Sequence, residues 1–105
     1  MVLIMPKLSK EQKRLLVWLA QPNNHLEICR QQGHSLNQVN GLKTYTDEFG
    51  NPYKFDIRTL NKLISEALVS SEIIYPFGLK HEQYALTKLG FEFVEKYLNQ
   101  FNENI

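Results

Sequence analysis

The chain of 105 residues contains one cysteine, Cys29. No disulfide can close within it, which excludes a small extracellular scaffold held by cross-links, and a reducing, cytoplasmic setting is the expectation. Long hydrophobic runs are lacking as well. Met1-Val2-Leu3-Ile4-Met5 stops at Pro6, well short of a secretory leader or of the roughly 20 apolar residues that a membrane span requires, so no membrane partner is expected. Glycine is sparse, with five residues, and none stands in a phosphate-cradling pattern. Nucleophile elbows and paired catalytic carboxylates are absent too, so an enzyme is not expected and no cofactor is implied. Charge of one sign is also in short supply, at a formal net of +1. The balance is uneven along the chain, however. Residues 1–62 carry +4 and residues 63–105 carry −3, a split compatible with a basic binding face and an acidic far end.

Apolar material is ample. Hydrophobic residues make up 43% of the chain and aromatic residues 11%, enough for one core in a single domain spanning residues 1–105. Ser9 and Gln12 fit a capping box, and Leu15, Leu16, Trp18 and Leu19 follow at helical spacing. The turn Gln21-Pro22-Asn23 closes this first helix, over residues 9–21. Residues 24–55 read as a β-containing segment. His25 to Arg30 alternates polar and apolar, Ser35 to Asn40 has room for a short helix, and Lys43–Thr46 with Tyr53–Phe55 bracket a turn as a hairpin. Asp56 is an N-cap for a second long helix at 57–69, whose apolar face is Ile57, Leu60, Leu63, Ile64, Ala67 and Leu68. A hairpin at 72–86 follows, with Pro76 marking an edge strand or the end of pairing. Thr87 then caps a last helix at 88–100.

The run Arg58-Thr59-Leu60-Asn61-Lys62-Leu63-Ile64-Ser65-Glu66-Ala67-Leu68-Val69 resembles the recognition helix of winged-helix regulators. Tyr84-Ala85-Leu86-Thr87-Lys88-Leu89-Gly90 is similar to the Tyr-x-Leu-Thr-x-x-Gly run that closes the wing in PadR-like and MarR-like proteins. The resemblance implies an α+β winged-helix fold, with a three-helix core, a β-hairpin wing and an extra β-containing segment between the first and recognition helices. It further implies double-stranded DNA as partner and a transcriptional regulator as the role. Three departures stand out. Ala67 occupies a position where the family commonly has Gly, residues 24–55 are longer than the usual connection, and the recognition face carries only two basic residues.

On that reading Arg58, Asn61 and Lys62 face the major groove, because Arg pairs bidentately with guanine and Asn with adenine. Thr59, Lys54 and Ser65 suit phosphate contacts, and Lys80 with His81 at the wing tip reach the neighbouring backbone or minor groove. Phe93, Val94, Tyr97, Leu98 and Phe101 on the last helix form a homodimer interface, or else pack back on the first helix beside Trp18. His25, Cys29 and His34 match no zinc spacing, so a metal is not expected. The rival reading is a winged-helix protein–protein interaction module that does not bind DNA. It would use the aromatic surfaces of the last helix and of the Tyr45–Phe55 hairpin.

Overall fold

A computed structural model describes residues 6–31 and 38–103, with side chains as far as Gln100. The described residues form an α+β fold of three helices and one four-stranded antiparallel sheet. Helix α1 spans Lys10–Leu19, and its capping box is complete: Gln12 N–H donates to Ser9 Oγ at 3.2 Å, and Ser9 N–H donates to Gln12 Oε1 at 2.8 Å. Strand β1, Leu26–Cys29, lies inside the sheet between β2 (Val39–Asn40) and β4 (His81–Leu86), while β3 (Val69–Ile74) forms the outer edge beside β4. Helices α2 (Ile57–Ser65) and α3 (Lys88–Glu103) complete the fold.

The register fixes which residues share a face. Leu26 pairs with Tyr84, Ile28 with Glu82, and Val69 with Leu86, so Leu26, Ile28, Tyr84, Leu86 and Val69 point together into the core. Leu15, Leu16, Leu60, Leu63 and Leu68 meet them there, all fully buried. Phe93 and Val94 close the core from α3 at 8% and 6% exposure.

The helix expected at 57–69 ends earlier, at Ser65. Ala67 adopts φ = 60°, the Ala67 N–H donates to the Ile64 carbonyl at 3.0 Å, and the Leu68 N–H reaches back to the Leu63 carbonyl at 3.0 Å. This pair of bonds is a Schellman ending, usually built on glycine because a Cβ is strained in the left-handed region. The chain leaves it directly into β3, so the hairpin begins at Val69 rather than at residue 72. Pairing stops at Ile74 opposite His81, where Pro76 can donate no N–H.

Residues 24–55 also differ from expectation. The hairpin foreseen across 43–55 is reduced to one bridge between Thr46 and Pro52 and a bond from the Tyr53 N–H to the Tyr45 carbonyl at 3.0 Å. Lys43 and Thr44 lie in a single 3-10 turn instead. The Asp47 carboxylate accepts the N–H groups of Phe49 and Asn51, both at 2.9 Å, so a side chain satisfies the backbone donors that a longer ladder would have used. The helix expected between Ser35 and Asn40 falls in part outside the described residues, and its described end, Val39–Asn40, is β2.

One junction ties the elements together. Thr87 N–H donates to the Leu68 carbonyl at 3.0 Å, and the Thr87 hydroxyl donates to the Ala67 carbonyl at 2.6 Å while accepting the Gly90 N–H at 3.0 Å. A Cβ on Gly90 would lie 2.2 Å from the Leu68 carbonyl oxygen, so only glycine lets α3 start there. Two substitutions test the junction by chemical denaturation. Ala67→Gly should stabilise the protein by about 1 kcal/mol, because it relieves the left-handed strain. Gly90→Ala should cost roughly 2 kcal/mol or more. A stable Gly90→Ala variant with an unshifted midpoint would show that α3 does not approach Leu68 this closely.

Candidate nucleic-acid interface

Spacing along α2 sets its exposed face. Arg58, Asn61, Lys62 and Ser65 recur at three- and four-residue intervals opposite the buried Leu60 and Leu63. Arg58 is the most open, with its side chain 87% exposed. Its guanidinium does not wave freely, however. Nη2 donates to Asp56 Oδ2 at 2.7 Å, and Nε lies 3.1 Å and 3.2 Å from the two carboxylate oxygens. Asp56 also caps the helix, accepting the Arg58 N–H at 2.9 Å. The side-chain bond from Arg58, then the backbone N–H, hold the Asp56 carboxyl down at a pKa of about 2.

Lys62 has a carboxylate too, with Nζ 2.8 Å from Glu66 Oε1. Both groups are more than about a third exposed or close to it, and such a pair is worth only about a few tenths of a kcal/mol. Ser65 turns inward on its own helix, donating to the Lys62 carbonyl at 2.8 Å. Asn61 is exposed and borders a hollow formed by Ile28, Arg30, Val39, Phe55 and Ile57. Arg30, at the end of β1, was not among the residues expected to matter. Its Nε lies 3.0 Å from Glu82 Oε1 and its Nη2 3.3 Å from the Tyr84 hydroxyl. Burial opposes the Arg30 charge, but the bonds to Tyr84 and Glu82 outweigh it and raise the pKa. No spacing rule joins residues 30, 82 and 84; only the β1–β4 register does.

The remaining expected contacts divide. Thr59 and Lys54 line a separate cleft toward α1, in the company of Glu11 and Asp56. A phosphate placed there would meet two carboxylates as well as one lysine. Lys80 is exposed, and its main chain is held between the Gln31 side chain (3.0 Å) and the Arg30 N–H (2.8 Å). His81 must be corrected: it is 7% exposed, with Nδ1 3.0 Å from the Leu79 carbonyl, because it opens β4 rather than standing at the tip of the turn. The tip carries apolar side chains instead, Tyr75 at 63% and Phe77 at 104% exposure.

The proposed dimer surface also changes. Phe93 and Val94 are spent on the chain's own core, since α3 lies across the hydrophobic face that the sheet presents. Tyr97 is half-buried under Lys13, Leu98 is 42% exposed, and Phe101 lies outside the residues whose side chains are described. Cys29 is buried, His34 lies outside the described residues, and no group of three metal-binding side chains occurs among those described. No described helix is long and apolar enough to cross a membrane. No protein-family model, curated protein or solved structure matches the chain.

The Asp56–Arg58 bond has a defined pH signature. A carboxyl whose folded pKa is lowered from 3.8 to about 2 contributes stability above its ordinary value, and loses it as pH falls from 3.8 through about 2. Urea midpoints measured across that window should fall more steeply for the wild type than for Asp56→Asn, which keeps a helix cap but cannot ionise. Equal slopes would mean that the bond does not persist in solution.

Proposed function

We propose that the chain is a winged-helix protein that binds double-stranded DNA and acts as a transcriptional regulator, with α2 lying in the major groove. The observation that carries this reading is the strip of Arg58, Asn61 and Lys62 on one side of α2, in which Arg58 and Asn61 are exposed and Lys62 is partly so. Arg58 and Asn61 supply the two bidentate pairings that distinguish guanine and adenine. In support, the hairpin β3–β4 stands next to α2 in the chain and its inner strand pairs with β1, an arrangement suited to bracing a helix against a groove. Lys80 is then the remaining wing contact to phosphate.

Asp56 and Glu66 act as built-in competitors. Each gives up its cation when a phosphate or base edge takes its place, so duplex binding is an exchange of ion pairs rather than a gain of new ones. Such an exchange keeps affinity modest and blunts its dependence on salt, because salt weakens the pairs given up as well as those gained. It also suppresses attachment to any polyanion that lacks matching base edges.

A second reading is favoured by one observation. Ile73, Tyr75 and Phe77 are exposed at 44%, 63% and 104% along the free edge strand β3 and its turn, which suits docking of a partner protein without DNA. The surfaces first considered for this role are less suitable, since Tyr45 and Phe93 are buried.

Duplex titrations at two salt concentrations separate the two readings. Arg58→Ala with Lys62→Ala should weaken binding to mixed-sequence duplex about tenfold or more, and should lower the salt slope by less than about two, because each cation gives up a carboxylate on binding. Asp56→Asn should tighten it several-fold by releasing Arg58. Binding that ignores all three substitutions, or is absent at low salt, would turn the assignment to the protein-docking reading.

A further inference from the structure

Among the twelve Lys and Arg residues, two sets contrast. Arg30, Arg58 and Lys62 each sit on a carboxylate of the same chain. Lys7, Lys10, Lys13, Arg14 and Lys96 have no carboxylate within ion-pair distance among the described residues, and they gather along α1 and the adjoining side of α3. Two hollows open between them, sharing Lys13 and Tyr97. The larger has a volume of about 400 Å³, and the smaller about 170 Å³. No described residue lining either one is acidic. Glu11, the nearest acid in sequence, lines the adjoining cleft beside Thr59, which shares Tyr45 with the larger hollow.

Aromatic rings form the base of the larger hollow. Trp18 meets Tyr45 edge-on at 5.3 Å between centroids, and Tyr45 meets Tyr53 at 5.4 Å. Trp18 and Tyr45 are buried and form the floor, while Tyr53 and Tyr97 are half-buried at the walls. The cations lie on these walls rather than in bulk water. The Arg14 guanidinium sits 4.0 Å from the Tyr53 centroid, and Lys13 Nζ sits 5.2 Å from that of Tyr97. A guanidinium held over a ring has little freedom left to lose. Arg14 lines the hollow and bonds the Tyr45 hydroxyl; a guanidinium so placed has a second planar face that can stack on a base and further N–H donors for an anion.

We infer that this cleft is a binding site for single-stranded nucleic acid, with a base stacked on the Tyr53-backed Arg14 and the flanking phosphates on Lys10, Lys13, Lys7 and Lys96. Aromatic floors with uncompensated cations along a groove are the combination that single strands require. A duplex keeps its bases stacked inside a wide cylinder and cannot place one in a concavity of this size. An acidic peptide satisfies the charges but makes no use of the planar face of Arg14. The site is independent of α2, whose cations are already paired.

Trp18 is the only tryptophan in the chain and lies in the floor of the cleft, so its fluorescence reports on occupancy. An oligothymidylate about twelve nucleotides long, the same strand annealed to its complement, and a polyglutamate peptide of similar charge are titrated against the whole protein. The single strand should give saturable quenching and bind at least tenfold more tightly than either competitor. Lys13→Ala with Arg14→Ala should weaken it tenfold or more, with circular dichroism verifying the fold. Arg14→Lys, which keeps the charge and loses the plane, should still cost several-fold. Arg58→Ala with Lys62→Ala should leave single-strand binding unchanged even if it abolishes duplex binding. Equal affinity for polyglutamate, tighter binding of the duplex, or no saturable response would each overturn the site.

Discussion

The Leu68 carbonyl is the point on which the arrangement of elements depends. It accepts the N–H of Thr87 at the end of β4 and lies in the space that any side chain at position 90 would need, directly after the turn in which the Leu68 N–H closes α2 on the Leu63 carbonyl. Three elements therefore converge within a few ångströms, and the distances leave room for one set of residues. Thr87 serves both sides with a single hydroxyl, donating across to Ala67 and accepting from the first turn of α3. Because α2 must end in a left-handed residue to reach β3, its exposed face is confined to Ile57–Ser65. Backbone geometry, more than side-chain propensity, sets the length of the helix that presents Arg58, Asn61 and Lys62.

Electrostatics then decides what that face presents. On an isolated amphipathic helix, Arg58 and Lys62 would count as two free positive charges. Here the capping carboxylate of Asp56 reaches the guanidinium two residues ahead, and Glu66 reaches Lys62 one turn back. Desolvation is slight for these exposed groups, so the pairs cost little to form and little to break. A surface of this kind discriminates between ligands through the geometry of what replaces the carboxylate. Another set of cations lies along α1, where Lys13 and Arg14 sit on tyrosine rings rather than on carboxylates.

Much of the architecture was legible because it rests on local chemistry. The capping box at Ser9, the N-cap at Asp56 and the cap at Thr87 mark helix starts through side-chain oxygens that bond their own neighbours, which a reader of the chain can place. The stripes of α1 and α2 were equally plain. Helix and strand ends were harder. Ala67 stands where a glycine would be expected at such a helix end, yet as an alanine it does not announce the left-handed turn it makes on the way into β3. Tyr45 and Tyr53 read as hairpin strands from their composition, yet Asp47 folds the segment into a tight turn, and the two rings serve as floor and wall of a cleft.

The amino-acid order by itself determined the α+β class, the three helix starts and the apolar faces, because each follows from contacts within a turn or two of the chain. Tertiary structure alone decided which charges are paired, which aromatic residues are spent on the core, and where cations and rings come together. Arg30 meets Glu82 and Tyr84 across 52 and 54 residues, and Lys13 meets Tyr97 only because α3 folds back over α1. His81 passed for a turn residue and is buried, while Phe93, read either as dimer surface or as packing back beside Trp18, belongs to the core. Burial is a property of what the rest of the chain places against a residue, and no local window contains that information.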